Sequence, residues 1–153
     1  WGADDPDDRK PMVWPDRTYD VENDHPFDQD RPADPVRFTR DLFQTYQALV
    51  TLRTESEALR RGGFTVLQAD DERRLFAYAR TVGAEDGRET VVVALNRSDE
   101  AHSTRIPLPD SLRGAYEPAF QTPRDGSTRV QQDGTALLLE LPPRGGIALQ
   151  AEP

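Results

Sequence analysis

The sequence predicts a mainly β fold: an antiparallel β-sandwich of Greek-key type, led in by a proline-rich loop and one amphipathic helix. Three observations carry this reading. From Phe64 onward, strand-length runs alternate with short polar turns. One of them, Val91-Val92-Val93-Ala94-Leu95, is apolar on both faces, as expected of a strand covered on both sides. Upstream, Phe38, Leu42, Tyr46, Leu49 and Val50 recur at helical spacing.

Residues 1–35 are rich in Asp and Pro. Pro6, Pro11, Pro15, Pro26, Pro32 and Pro35 are spaced so that neither helix nor strand runs far. Met12, Val13, Trp14, Tyr19 and Phe27 are scattered among them, which disordered tails rarely keep. The stretch reads as a long ordered loop pressed against something, and such loops are often functional. A helix then follows, with Asp34 as N-cap and Pro35 at the first helical position. Its apolar stripe faces away from Arg37, Arg40, Asp41 and Gln44, and is too large for a lone helix. A second short helical turn over 56–61 runs into Gly62-Gly63, which stop it.

The β part divides into runs over 64–69, 75–82, 90–96, 102–108, 115–120, 128–131, 135–141 and 146–150. Turns fall at 70–72, 83–87, 98–100, 124–126 and 133–134. Leu137, Leu139 and Leu141 line one face of their strand. Pro118 confines its own run to a sheet edge or a bulge. No internal repeat is present.

Composition narrows the functional classes. The 153 residues carry a formal charge of −9, which argues against nucleic acid or an anionic membrane surface as partner. No apolar run approaches the roughly 18 residues that span a bilayer. With no cysteine, disulfides, zinc-thiolate sites and thiol catalysis are excluded. Lys10 is the single lysine. Acidic, lysine-poor chains stay soluble in strong salt, so a halophilic source is one reading; a genome favouring arginine codons is the other. The opening Trp1-Gly2-Ala3-Asp4-Asp5 has no basic, apolar leader and reads as a cut within a longer protein.

The most informative stretch is Asp5-Pro6-Asp7-Asp8-Arg9-Lys10-Pro11-Met12-Val13-Trp14. Asp5 and Arg9 flank a proline-stiffened turn, where a carboxylate and a guanidinium could grip a sugar's vicinal hydroxyls, one accepting and one donating. On spacing alone, a salt-bridged loop without ligand is the competing reading.

This run resembles the segment after the last barrel strand of the α-amylase family, in its neopullulanase, cyclomaltodextrinase and maltogenic-amylase branch. There an Asp-Pro-x-x-Arg element precedes Pro-Met-x-Trp. Asp41-Leu42-Phe43 through Tyr46, Leu49 and Leu52-Arg53 resembles the final barrel helix. The run from Ala58 to Phe64 resembles the link into the all-β tail domain. Arg73 to Arg80, Val91 to Asn96 and Leu141 to Gly146 are similar to strands of that domain. Trp1, where the family has a smaller or polar residue, and an insertion-like stretch over 16–31 depart from the pattern.

The resemblance implies that residues 1–62 end a catalytic (β/α)8 barrel and that 63–153 form the all-β C-terminal domain, a structural cap of that barrel. It implies a retaining α-glycosidase acting on α-glucan oligosaccharides. Such an enzyme needs a nucleophile and an acid carboxylate about 5–5.5 Å apart, the acid in a setting that raises its pKa. In the family both lie on earlier barrel strands, together with a third carboxylate that helps hold the substrate. This chain therefore carries no catalytic residue, and only Asp5 and Arg9 match substrate-binding positions. Trp14 is expected to pack beneath that loop.

Other candidates are weaker. His25 and His102 lack metal-ligand or triad spacing and read as surface or edge histidines. Asp4, Asp5, Asp7 and Asp8 offer oxygens of the kind calcium takes, but off the EF-hand spacing and beside Arg9 and Lys10. No metal and no cofactor are expected. The glycines at 83–87 and 145–146 lack the strand-then-helix context of a phosphate loop. The alternatives are a stand-alone carbohydrate-binding module, which needs two or three Trp or Tyr on one exposed face, and a protein-interaction domain. The uncovered stripe also leads to the expectation that the chain alone self-associates.

Overall fold

The computed structural model describes residues 12–21, 23, 29–30, 32–33, 35–83, 87–122 and 128–152. They fall into two compact units, Trp1–Gln44 and Thr45–Pro153, with the division inside a helix.

In the first unit, the Trp14 amide donates to the Tyr19 hydroxyl at 2.7 Å, and that hydroxyl donates to the Met12 carbonyl at 3.2 Å. A turn at Pro15-Asp16 is closed this way, and Trp14 keeps half its surface open. Helix α1 (Arg40–Glu55) starts later than the Asp34-Pro35 pair led us to expect. Pro35 lies in non-helical chain, and Asp34 is outside the described residues. The Phe43 amide bonds the Thr39 carbonyl at 3.1 Å, so Thr39 stands at the helix mouth. Thr39 is itself a favoured cap residue, and Asp41 places a negative charge in the first turn, where the helix dipole rewards it. No residue of α1 is buried.

In the second unit, α2 (Glu57–Arg61) is capped by Ser56, whose hydroxyl accepts from the Leu59 amide at 3.1 Å. It ends at Gly62 as expected, but not through a left-handed turn, since φ there is −60°. The glycine serves close approach instead: a Cβ would meet the Ala58 carbonyl oxygen at 2.5 Å and the Thr81 backbone at 2.9 Å.

Eight strands follow: β1 (Gly63–Asp70), β2 (Leu75–Val82), β3 (Glu89–Asn96), β4 (His102–Pro107), β5 (Tyr116–Thr122), β6 (Arg129–Gln132), β7 (Ala136–Leu141) and β8 (Gly146–Ala151). They form two antiparallel sheets, ordered β1-β2-β3-β8-β5 and β4-β7-β6. The apolar run of 91–95 is the middle strand of the larger sheet. Pro118 sits on edge strand β5, beside a bulge between Pro118 and Phe120, the places in a sheet where a missing N–H is tolerated. A short 3-10 turn, Asp110–Leu112, was not anticipated from the sequence.

The core lies between the sheets. Leu75, Ala77, Val92, Ala94, Ile147 and Leu149 face Ile106, Leu137, Leu139 and Leu141, all essentially without exposed surface. Each such side chain contributes roughly 1.5–3 kcal/mol by leaving water. Polar side chains stitch the two layers. The Thr104 hydroxyl donates to Gln68 Oε1 at 2.9 Å. The Gln132 amide mimics a peptide group, accepting from the Tyr116 N–H at 2.9 Å and donating to its carbonyl at 3.2 Å. Burial pushes the Tyr116 phenol above its ordinary pKa, so it stays neutral and donates to the Leu112 carbonyl at 2.7 Å.

Candidate functional site

Asp5 and Arg9, the expected sugar-binding pair, lie outside the described residues, as does His25. His102 opens β4 and is half-buried. Among the described residues no three His, Cys, Asp or Glu side chains are grouped to hold a metal ion.

The carboxylates that are perturbed shift in the wrong direction for a general acid. Hydrogen bonds from Thr135, and then from the Ala136 amide, pull Asp133 down to about 2. The Arg73 amide and guanidinium hold Asp70 low, and the Arg144 guanidinium does the same for Asp99. A glycosidase acid needs a raised pKa, in an apolar setting that disfavours its charge. Asp99 and Asp133 are exposed loop residues and Asp70 is the half-buried end of β1; all three fasten loops.

Two features of the larger sheet stand out. The first is its outward face. One half is covered by α2: Ala58 packs with Val91 and Ala148, and Leu52, Leu59, Val93 and Phe120 close around them. Glu89, at the start of β3, latches the helix down by accepting from the Ser56 hydroxyl at 2.5 Å and the Glu57 amide at 3.1 Å. Arg80 secures its exit, donating twice to the Gly62 carbonyl at 2.7 and 3.1 Å. The other half is open. Phe64 stacks on Tyr78 with centroids 4.9 Å apart, and Phe76 tilts against Tyr78 at 5.8 Å. Phe64, Val66, Phe76 and Leu95 keep 56, 53, 36 and 42% of their surface in water. No alternation in the sequence singles out this face; it exists through the register, which sets Val66 opposite Tyr78 and Phe76 opposite Leu95.

The second feature is the end of the sandwich where three turns meet. Asn96, 2% exposed, is their common anchor. Its amide nitrogen donates to the Glu100, Leu141 and Pro142 carbonyls at 2.7, 3.3 and 2.9 Å. Its oxygen accepts from the Ser98 amide and hydroxyl, each at 2.9 Å. The Arg97 amide bonds the Arg74 carbonyl, and the Arg144 amide bonds the Ser98 carbonyl, each at 3.0 Å. Among the described residues, Arg74 and Arg144 are the non-glycine residues with left-handed backbones, at φ 57° and 53°. The wiring borders a cavity of about 580 Å³ whose lining includes Phe76, Leu95, Asp70, Asp71, Arg74, Arg97 and Arg144. Arg144 grips Asp99 with two bonds of 2.8 and 3.0 Å. Arg74 and Arg97 make no direct ion pair among the described residues, though the Arg74 charge acts on Asp99 and helps Arg144 hold it low.

After Phe64 the sequence has no Trp and two Tyr, of which Tyr116 is buried and Tyr78 stacks with Phe64 and Phe76, so the sandwich does not present the two or three exposed Trp or Tyr that a starch-gripping face needs.

Comparison with known proteins agrees with the architecture. The chain is 33% identical over 151 residues to a cyclomaltodextrinase of Geobacillus thermopakistaniensis, a match covering 99% of this chain and 21% of that protein. It is 30% identical over 110 residues to neopullulanase 2 of Thermoactinomyces vulgaris, covering 72% of this chain and 15% of the relative. The crystal structure of a debranching enzyme from Nostoc punctiforme superposes with a TM-score of 0.57 at 27% identity, over 72% of this chain and 21% of that one. The chain thus spans about a fifth of the length of such relatives or less. Residues 66–152 match the family described as the alpha amylase C-terminal all-beta domain, and the chain belongs to that family.

Proposed function

We propose that this chain is the carboxy-terminal part of an α-glucan-acting glycoside hydrolase. In this reading residues 1–62 complete the catalytic barrel and 63–153 cap it without supplying a catalytic group. The observation that carries the reading is the extent of the match: nearly the whole chain aligns with about a fifth of a cyclomaltodextrinase. The loosely held apolar stripe of α1 supports it, because a final barrel helix would bury that stripe against strands upstream.

Asp5 and Arg9 are then the chain's contribution to substrate, binding sugar hydroxyls on the donor side of a cleft built elsewhere. In the full-length protein, Asp5→Ala or Arg9→Ala should lower kcat/KM on maltooligosaccharides, since orphaning one partner of a desolvated polar contact costs about 1–3 kcal/mol. Variants matching the parent would reduce the pair to a structural loop. The chain alone should release no reducing ends from soluble starch, pullulan or cyclodextrins, and turnover surviving repurification would overturn the cap reading.

The same exposed surface governs the isolated chain. Leu42, Tyr46 and Val50 keep 55, 63 and 62% of their area in water, and apolar surface of that extent finds a partner. The chain alone therefore self-associates. Sedimentation giving a clean monomer at all concentrations would contradict this.

A further inference from the structure

Among the described residues the two sheets end in four strand edges, and three of them are guarded. In the larger sheet, β5 carries Pro118 and a bulge, and the Gln132 side chain occupies the N–H and carbonyl of Tyr116. In the smaller sheet, β6 is four residues long and carries Arg129. Strand β4 carries Arg105, ends on Pro107, and has its Ser103 carbonyl taken by the Arg73 guanidinium at 3.5 Å. Short length, charge, proline and side-chain cover are the means by which sheets avoid joining other chains.

Strand β1 has none of these over its first half. It pairs β2 on one side and, among the described residues, no strand on the other. Gly63, Phe64, Thr65 and Val66 are exposed, and nothing from Gly63 to Gln68 is charged or proline. A bulge between Val66 and Gln68 then breaks the register, and the Thr104 hydroxyl bonds Gln68 to the other sheet. The open edge is therefore short, and it ends where the bulge begins.

We propose that this half-strand is a pairing edge for a second copy of the chain, joined antiparallel about a two-fold axis through Thr65. Two observations choose that occupant. A net charge of −9 sets copies against each other, and an uncharged run is where two of them meet at least electrostatic cost. The run also complements itself. An axis at Thr65 sets Phe64 opposite the partner's Val66, Val66 opposite the partner's Phe64, and the two threonines opposite each other. Aromatic with β-branched and Thr with Thr are pairs that stabilise antiparallel strands. Such a contact is isologous and uses each edge once, so it stops at a dimer. It is separate from the α1 stripe and holds whatever reaction the longer protein performs.

Cysteine trapping tests this, because the chain has no cysteine of its own. Directly opposed residues hold their Cβ atoms about 4.5–5.5 Å apart, a small adjustment from disulfide geometry. Thr65→Cys should give a disulfide-linked dimer under mild oxidation, undone by reductant, while Gln131→Cys on guarded β6 lags far behind. Two further variants in the Thr65→Cys background read the register. Phe64→Lys with Val66→Lys sets like charges opposite each other and should lose the linked dimer. Phe64→Lys with Val66→Glu sets opposite charges there and should keep it. Both alter the same two exposed side chains, so damage to the fold would strike them alike. Equal linking at positions 65 and 131, or equal linking in the two charge variants, would overturn the proposal. Linking that the chain shows but the longer protein loses would assign the edge to an upstream segment and overturn the second copy as occupant. No glucan enters the experiment, so a linked dimer from a protein that hydrolyses no glucan would sink the functional reading alone.

Discussion

Helix α1 and strand β3 are both rich in large apolar residues, yet their fates diverge. Val91, Val92 and Ala94 of β3 are sealed from water, whereas α1 has no fully buried residue: Leu52 is part-buried beside Ala58, and Leu42, Tyr46, Leu49 and Val50 stay exposed. The difference lies in what each segment has to pack against. Strand β3 finds β2 and β8 beside it, the second sheet beneath and α2 above, all within residues 57–151. Helix α1 has the stripe of a buried helix and nothing among the described residues that buries it. A sequence pattern records the surface an element needs, and only the fold says whether this chain supplies it.

The comparison breaks most visibly in the core. Leu139→Ala should destabilise the chain by about 2–5 kcal/mol in urea unfolding, through lost burial and the cavity left behind. A cost no larger than that of a helix-stripe substitution would mean the sandwich is not the stable half. Next comes the anchor of the three turns. Asn96→Ala strands the Ser98 donors and three carbonyls, and should cost about 1–3 kcal/mol while leaving strand content unchanged by circular dichroism.

A smaller effect follows pH. Asp133 titrates at about 2 in the folded chain against an ordinary 3.8, so its stabilising contribution is complete above the ordinary value and lost as pH falls through the folded one. Asp70 and Asp99 act in the same direction. The thermal midpoint should therefore fall across that acid window, and Asp133→Asn should shallow the fall; an unchanged slope would show that the turn gives Asp133 no special role. Smallest of all, Leu42→Ala should change the stability of the isolated chain by less than about 0.5 kcal/mol. In the full-length protein the same substitution should cost about 2–5 kcal/mol if the stripe is covered there.

Most of the sandwich was legible because its signals are local. Turn residues punctuate the strands, and Gly134 takes the left-handed backbone, φ 79°, that its Asp-Gly turn requires. Pro118 announced an edge or a bulge and sits at both. The helix start was misread because two cap signals compete, Asp34-Pro35 and Thr39 with Asp41, and spacing alone does not rank them. What stayed hidden depends on pairs distant in sequence. The row of Phe64, Tyr78 and Phe76 exists only once β1 and β2 are in register, and the cavity beside it only once Arg74, Arg97 and Arg144 are brought together by turns up to 70 residues apart. The sugar-binding pair Asp5 and Arg9 rests on motif resemblance, and its geometry falls outside the described residues.

The placement of β8 has a consequence for how the molecule is made. It is the last strand among the described residues, yet it lies inside the larger sheet, between β3 and β5, and is the strand on which β5 pairs. A chain emerging from the ribosome cannot close that sheet until residues 146–151 are free, so β1 to β3 wait with one side unpaired and β5 waits without a sheet. A product truncated before Gly146 would keep those edges open, and open edges recruit other chains. Solubility of this domain thus reports that translation reached its last strand.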